Sequence, residues 1–193
     1  MELKEGIPIF QARTRTAWRQ WLSRHHETSK GVYLILFNKD SDTPSVAYTE
    51  AVEEALCFGW IDATTKKRDA HSRYQYFSPR RPRSRWARSN KERVDRMIAQ
   101  GLMTPAGLKV IEEARRNGSW DALNDIDDAV IPDDLLKALR RNKKAFAHFE
   151  QFSPSARRLL LEWIAGARRP ETRARRIAET AAAAAANRKA FPR

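Results

Sequence analysis

The sequence contains a single cysteine, Cys57, among 193 residues. One thiol excludes an internal disulfide and any metal site built from several cysteines. No stretch approaches the roughly 18 apolar residues that a membrane-spanning helix requires, and residues 1–18 lack the uninterrupted apolar run of a secretory signal. Glycine is scarce, with 7 residues, and no long polar repeat is present. We therefore expect a globular protein of the cytoplasm.

What the chain has in excess is positive charge, and its net charge of +13 is concentrated in two segments. Residues 65–118 contain 15 Lys and Arg against 5 Asp and Glu, and residues 154–193 contain 10 against 3. Such blocks attract phosphates, nucleic acid or anionic membrane surfaces through a long-range field that salt screens. The same composition also fits arginine-rich helix faces that are merely solvated, so charge alone leaves both interpretations open.

The hydrophobic pattern predicts an α+β fold. Residues 31–38 are rich in β-branched and aromatic side chains and predict a central strand that is buried on both faces. Residues 61–69 and 73–78 predict two further strands joined by a short loop. We expect a small, mainly antiparallel, three-stranded sheet backed by helices in residues 1–125, followed by a helical domain in residues 126–193.

Helix signals divide the rest of the chain. Residues 9–26 have apolar side chains at helical spacing and predict the first helix. Thr49 is predicted to cap the second helix, and Ser89 with Glu92 is predicted to form a capping box at the start of the third. From Thr104 onward, caps followed by proline predict that most of the chain is helical.

The lone thiol is not predicted to be catalytic. Cys57 falls on the helical stripe of Glu50, Glu53 and Glu54, opposite the apolar face. Neighbouring carboxylates disfavour a thiolate and leave the sulfur a poor nucleophile.

No motif predicts a reaction. Asp62, Tyr74 or His71 would be the acid or base if the protein were an enzyme, but no Ser/His/Asp, metal-ligand or Walker-type spacing accompanies them. Adjacent residues such as His25 and His26 point to different sides of a helix, which disfavours a shared metal. We expect a binding protein that needs neither metal nor cofactor.

The unusual chemistry lies in residues 46–96, where aromatic and basic side chains alternate. Pro82 keeps residues 79–88 irregular until the next helix begins, so several arginines lie close to the start of a helix. Guanidinium groups near helix-terminal amides form a site for phosphate or carboxylate. The residues predicted to bind a ligand there are Trp60, Asp62, Tyr74, Arg80, Arg81, Arg85 and Trp86.

The same residues allow an interpretation without a ligand. Asp62 would then accept hydrogen bonds from turn amides, or pair with an arginine of residues 80–85. Arg85 would stack on Trp60 or Trp86. The site therefore depends on whether the arginines converge on a hollow open to solvent.

Three segments resemble a known family. They are residues 55–63, ALCFGWIDA; residues 76–94, YFSPRRPRSRWARSNKERV; and residues 131–177, which run from IPDDLLKAL to ETRARRI. They resemble, in order, the bacterial YdeI/OmpD-associated family, also called bacteriocin-protection proteins, over roughly residues 10–180. The resemblance implies a part in tolerance of bacteriocins or antimicrobial peptides, and it implies neither a reaction nor catalytic residues.

Two functional hypotheses follow. In the first, the protein is a non-enzymatic stress-protection or binding module that holds a small anionic ligand or an acidic protein partner. In the second, it binds nucleic acid through Arg80 to Arg88 and Arg168 to Arg176. Nucleic-acid affinity should fall steeply with salt, whereas binding of one small ligand should be saturable and survive moderate salt.

Overall fold

A computed structural model describes residues 2–188 and shows a mixed α/β architecture. Within these residues there are nine helices and one five-stranded sheet. The chain separates into two compact units, and the boundary lies between Asp121 and Ala122. The first unit contains the sheet and four helices, and the described residues of the second contain five helices.

The sheet has five strands rather than the predicted three. The strands are β1 Leu3–Lys4, β2 Ile7–Phe10, β3 Val32–Phe37, β4 Trp60–Lys67 and β5 Ser72–Pro79. Their order across the sheet is β1-β2-β3-β5-β4, and only the β2–β3 pair is parallel. The prediction of a mainly antiparallel sheet is therefore confirmed, while its size is wrong.

The error in strand number arises at the first predicted helix. Ile9 and Phe10 pair with Tyr33 and Leu34 in the parallel β2–β3 ladder, so the chain is extended where residues 9–26 predict a helix. The apolar spacing of residues 9–26 does not reveal a pairing partner more than twenty positions away.

The helices of the first unit are α1 Arg15–His25, α2 Tyr48–Cys57, α3 Arg88–Ala99 and α4 Pro105–Arg116. The Thr104 cap of α4 is confirmed, since its Oγ1 accepts the Gly107 N–H. The predicted caps of α2 and α3 are wrong. Helix α2 begins after Ala47, whose N–H donates to the Glu50 carboxylate at 3.2 Å, and α3 begins after Ala87, which offers no side-chain cap.

Strand β3 is buried on both faces, as its sequence predicts. Leu34 is fully buried in the main core beside α1 and α2, which contains Trp18, Trp21 and Phe77. Tyr33 and Ile35, on the opposite face of the strand, form a second cluster with Tyr74 and Tyr76. The sheet therefore has a helix-covered inner face and an outer face with its own small aromatic cluster.

The second unit contains α5 Asn124–Asp127, α6 Asp133–Arg140, α7 Lys143–Gln151, α8 Pro154–Ala165 and α9 Pro170–Ala185. Ser153 caps α8 by accepting the Ala156 N–H. The most completely buried side chains are Leu135, Leu139, Ala145, Phe149, Ile164 and Ala184. Arg173 of α9 forms two hydrogen bonds to the Asp134 carboxylate of α6, and this ion pair joins the two helices across the unit.

None of the helices in residues 2–188 combines the length and the apolar character needed to cross a membrane.

Candidate anion-binding site

Arg80 lies where three parts of the first unit meet. Gly59, at a φ of +74°, ends α2 in a conformation that other residues resist, and β4 follows it immediately. Arg80 follows the last residue of β5, and its N–H donates to the Gly59 carbonyl at 2.9 Å. The Arg80 guanidinium lies over the Trp86 ring, with Cζ 3.7 Å from the centroid, and its Nη2 donates to the Arg85 carbonyl.

The charge of Arg80 is buried, and Arg80 forms no ion pair within residues 2–188. The residue is 7% exposed, and its Nε and Nη1 have no hydrogen-bond partner in the described part of the chain. Burial lowers the pKa of Arg80 to about 10, against the opposing effect of Asp62, so the group stays cationic at neutral pH. Because an unpaired buried charge is costly and must be explained, we treat Arg80 as the centre of a candidate site.

A cavity of about 400 Å³ lies beside this guanidinium. We call it the arginine hollow, and the lining residues that matter here are Asp62, Tyr76, Arg80, Arg81, Arg85 and Asn90. Arg81 and Arg85 are exposed at its surface, and no acidic side chain among residues 2–188 forms a salt bridge with them. Three arginine residues therefore line one solvent-accessible hollow, and the guanidinium of one of them, Arg80, is buried.

Asp62 is the one acidic residue that lines the hollow within the part of the chain that the structure describes. Its Oδ2 accepts a hydrogen bond of 2.7 Å from the Tyr48 hydroxyl. Burial, followed by this bond to Asp62, raises the pKa of Tyr48 to about 12, so the phenol stays protonated and remains a donor. The bond holds the carboxylate at the start of β4, next to an irregularity in the β4–β5 register between Asp62 and Thr65.

The start of α3 forms another part of the hollow. Ala87, the residue before the helix, and Asn90 of its first turn both line the cavity. Within the described residues no side chain caps α3, and the Asn90 and Lys91 N–H groups both donate to the Ala87 carbonyl, at 2.9 and 3.2 Å. The positive end of the helix dipole at this start favours phosphate and carboxylate groups.

A second cavity, of about 460 Å³, lies on the other side of Arg80. It is lined by His26, Phe58, Trp60 and Lys109, among others, and Arg80 lines it as well. The Trp60 ring is 1% exposed and its Nε1 donates to the His26 carbonyl. The structure thus places the predicted ligand residue Trp60 against this second cavity rather than in the arginine hollow.

The structure brings together four of the seven predicted ligand residues, Asp62, Arg80, Arg81 and Arg85. Trp86 is 1% exposed and lies between Arg80 and Trp120, so it supports a guanidinium instead of lining the cavity. Tyr74 belongs to the outer cluster of the sheet, with the Lys4 ammonium 5.1 Å from its ring centroid. The sequence suggests that Arg85 stacks on Trp60 or Trp86, but in the structure it is Arg80 that lies over the Trp86 ring.

Sequence reasoning missed Tyr48, Tyr76 and Asn90 as site residues. Tyr76 shares a face of β5 with Tyr74, but it lies two residues nearer to the end of the strand that leads into Arg80. Its closeness to Arg80 in the sequence could have identified it. Tyr48 and Asn90 gave none, because they reach Asp62 and the hollow only through tertiary packing.

The residues considered as acid or base are spread along the β4–β5 hairpin. Asp62 pairs with Phe77, Tyr74 pairs with Lys66, and His71 lies in the turn. The His71 N–H donates to Asp69, while the residue itself is exposed. Among residues 2–188, no group of His, Cys, Asp and Glu side chains is arranged to hold a metal ion.

The sequence places Cys57 on the charged stripe of α2, opposite the apolar face, but the structure buries it. Its side chain is fully buried in the core at the end of α2, where its carbonyl accepts the Thr104 hydroxyl of α4. Burial, and to a lesser extent Glu54, raises the pKa of the thiol to about 11. The expected lack of reactivity therefore has a different main cause, which is desolvation.

We expect Cys57 to resist thiol reagents in the folded protein. At pH 8 an aromatic disulfide reagent should label the native chain orders of magnitude more slowly than the urea-unfolded chain, because the thiol is both inaccessible and protonated. Absorbance of the released thiol measures both rates. Fast labelling of the native protein, at a rate unchanged by mild stabilising conditions, would contradict this burial.

Two family models match the chain. Residues 10–110 match a model described as "Domain of unknown function (DUF8412)", and this segment is just over half of the sequence. The chain belongs to the DUF8412 family. Residues 128–187 match a second model, described as "Bacteriocin-protection, YdeI or OmpD-Associated". The resemblance to that family is therefore confirmed for the third segment, residues 131–177, whereas the first two segments lie in the DUF8412 match. No curated protein and no solved structure matches the chain.

The DUF8412 segment contains the whole arginine hollow, from Asp62 to Asn90. The YdeI/OmpD-associated segment lies within the second unit, from α6 to α9 and the residues that flank them. The family description that mentions a function therefore applies to a different part of the chain from the candidate site.

Proposed function

We propose that this DUF8412 protein is a binding protein whose arginine hollow holds a small anion or the anionic group of a larger partner. The observation that carries the proposal is Arg80, a buried guanidinium that lines a cavity and, among residues 2–188, has two unpartnered nitrogens and no ion pair. An anion in the hollow would supply the missing charge, which is worth most where water is largely excluded.

The two neighbouring arginines fit the same role. Arg81 and Arg85 are exposed and unpaired at the cavity surface, so they can close on a bound phosphate or carboxylate through paired N–H donors. The start of α3, which lines the hollow at Ala87 and Asn90, adds the positive end of a helix dipole on a further side. Arg80 would supply a fixed charge, and the exposed pair would supply contacts that form on binding.

The Arg80→Met variant tests this proposal. We expect saturable binding of inorganic phosphate by the unaltered protein and at least about a tenfold loss of affinity in the variant. Its free energy of unfolding should stay within about 1 kcal/mol of the original or rise, because methionine can lie on Trp86 without burying an unpaired charge. Calorimetric titration measures the affinity, and urea unfolding measures the stability.

Arg83→Met is the matched control for that experiment. Arg83 is an exposed arginine of the same loop that does not line the hollow, so its loss changes the net charge equally and should leave phosphate affinity within about twofold. Equal losses of phosphate affinity in the two variants would show that the effect comes from net charge and not from the hollow. Full affinity in Arg80→Met would refute the site.

Nucleic-acid binding is the second candidate function, and exposed arginines favour it. Arg81, Arg85 and Arg88 are exposed in the first unit, as are Arg168 and Arg175 in the second.

The C-terminal arginine segment, Arg168 to Arg176, offers fewer arginines to a nucleic acid than its composition suggests. Arg173 pairs with Asp134, and Arg176 donates to the Trp163 carbonyl and lies over its ring. Backbone-driven binding would show a steep fall of affinity with salt and equal losses for Arg80→Met and Arg83→Met.

The description of the second unit's family adds a physiological setting to the proposal. If the protein contributes to tolerance of cationic bacteriocins or peptides, its net charge of +13 opposes direct capture of them. An anionic ligand or acidic protein partner is the more compatible intermediary. The cytoplasmic location expected from the sequence stays a prediction.

A further inference from the structure

Ser84 lies in the loop between β5 and α3 and lines the arginine hollow. It shares the cavity with Arg80, Arg81 and Arg85, and its N–H donates to the Arg81 carbonyl at 2.9 Å in a tight turn. The residue is half-buried, and its hydroxyl forms no hydrogen bond within residues 2–188. The hollow therefore contains a hydroxyl oxygen that no other group of the described chain occupies.

The Arg80 guanidinium reaches the backbone next to this serine. Its Nη2 donates at 2.6 Å to the carbonyl of Arg85, the residue that follows Ser84. Arg80 is 7% exposed, and among the described residues its Nε and Nη1 have no hydrogen-bond partner. An anionic group attached to the Ser84 oxygen would therefore lie close to a buried cation that forms no ion pair in residues 2–188.

The charges around Ser84 favour a phosphoryl group. Arg81 and Arg85 are exposed at the cavity surface, so the three arginines of the hollow outnumber its one described carboxylate, Asp62. The Tyr48 hydroxyl donates to that carboxylate at 2.7 Å and offsets part of its repulsion. A phosphoserine has a charge of about −1.5 to −2 and three acceptor oxygens, and it forms charge-assisted hydrogen bonds when it faces an arginine cluster.

Two serines line the hollow, and the fold presents only one of them to a modifying enzyme. Ser78 belongs to β5, where it pairs with Ile61 of β4. Ser84 lies outside the sheet and the helices, in a segment that Pro82 keeps irregular, beside the exposed side chains of Pro82 and Arg83. A protein kinase binds its substrate through such accessible loops, so Ser84 is the serine that it can reach.

We propose that Ser84 is a phosphorylation site and that its phosphoryl group occupies the arginine hollow against Arg80. A protein kinase transfers the γ-phosphoryl group of a nucleoside triphosphate to the Ser84 oxygen. The new O–P bond replaces the bond to the departing nucleoside diphosphate, and the hydroxyl proton passes to the base of the kinase. The inference rests on the proposed anion-binding function and adds its regulation, because a tethered phosphate excludes free anions from the hollow.

The test uses the full chain with phosphoserine encoded at position 84, compared with the unphosphorylated chain. Inorganic phosphate should bind the phosphorylated chain at least about tenfold more weakly, because a tethered group competes at an effective concentration in the millimolar range. Phosphorus NMR should show that the phosphoserine titrates at a lower pH in the folded chain than in urea, since guanidinium groups favour its dianion. Arg80→Met should reduce that difference in titration.

Phosphoserine encoded at position 89 is the matched control. Ser89 is exposed in the same arginine-rich segment and does not line the hollow. The modification adds the same charge there, so we expect inorganic phosphate affinity to change by less than about threefold. The titration of this second phosphoserine should not respond to Arg80→Met.

The occurrence of the modification is tested on the chain isolated from its own cells. Samples are taken in exponential growth, in stationary phase and after exposure to a cationic antimicrobial peptide. Chymotrypsin releases residues 78–86, and fragmentation of this peptide in a mass spectrometer distinguishes Ser84 from Ser78. We expect a phosphoryl group on Ser84 in at least one sample, and its absence from all of them would overturn the assignment.

The outcomes separate this inference from the function on which it rests. If phosphoserine at position 84 left phosphate affinity unchanged while Arg80→Met lowered it, the regulation would be overturned and the anion site would stand. Equal losses for phosphoserine at positions 84 and 89 would assign the effect to net charge and overturn it too. Free phosphate that bound independently of Arg80, with a titration of the phosphoserine at 84 that depended on Arg80, would remove only the external anion. Independence of Arg80 in both measurements would remove both proposals.

Discussion

Replacing Glu54 by alanine is expected to destabilise the protein by about 3–5 kcal/mol, the cost of removing one partner from a buried ion pair. Glu54 is 2% exposed. Its two oxygens accept hydrogen bonds of 2.6 Å from Arg15 and 2.7 Å from Arg19, and Arg19 also donates to the Leu102 carbonyl. Loss of this carboxylate would leave the Arg19 guanidinium beside the core without its counterion, while Arg15 would keep only its 3.2 Å salt bridge to Glu53. Urea unfolding followed by far-UV circular dichroism measures the change.

Glu50→Ala provides a matched control on the same helix. The Glu50 carboxylate accepts the Ala47 N–H and, within residues 2–188, forms no salt bridge with Arg15 or Arg19. Its loss should therefore cost about 1 kcal/mol, as for a helix cap. Because Arg15 and Arg19 are about one third exposed, they can be partly hydrated, and we expect the Glu54 effect at the lower end of its range. A cost for Glu54→Ala no larger than that of the control would show that α1 is held by apolar packing alone.

The sequence predicts those elements whose signals are local. The run from Val32 to Phe37 forms the central strand because β-branched and aromatic side chains on both faces suit only a strand covered on both sides. The Thr104 and Ser153 caps each precede a proline and accept an amide of the first turn. These features need no knowledge of distant residues.

Other elements depend on partners that are remote in sequence. Strand β2 forms because it pairs in parallel with β3, across the whole of α1, and parallel pairing leaves no mark at the positions involved. The orientation of α2 is a second case. Glu54 and Cys57 lie on its charged stripe, but α1 and α4 cover that stripe, so both side chains are buried. Arg15 and Arg19 make burial of Glu54 tolerable, and the sequence of α2 alone cannot show this.

The candidate site divides in the same way. Arg80, Arg81 and Arg85 line one cavity because they are close in the chain and lie beside a helix start, and this could be predicted. The difference in burial between Arg80 and the other two could not be predicted. Arg80 is buried while its neighbours are exposed, because its N–H joins Gly59 and its guanidinium is drawn over Trp86. Both contacts arise from tertiary structure.

The second large effect is expected at Trp18, which connects the sheet to the helices of the first unit. The side chain is fully buried, its ring stacks on Trp21 at 5.3 Å between centroids and contacts Phe77 of β5 at the same distance. Its Nε1 donates to the Ala51 carbonyl of α2. Trp18→Ala should therefore cost about 3–5 kcal/mol, because the cavity left between sheet and helices cannot close without moving both. Denaturant unfolding monitored by circular dichroism gives the value.

Trp18→Phe separates packing from hydrogen bonding at this position. Phenylalanine keeps most of the aromatic contact and loses only the Nε1 donor, so we expect a cost of about 1–2 kcal/mol for the lost hydrogen bond and the smaller ring. Leu3→Ala, at a side chain that is 61% exposed, should change stability by less than about 0.5 kcal/mol. If Trp18→Ala cost no more than Trp18→Phe, the indole would not be the contact that joins α1 to β5, and the core would depend instead on the aliphatic side chains of β3.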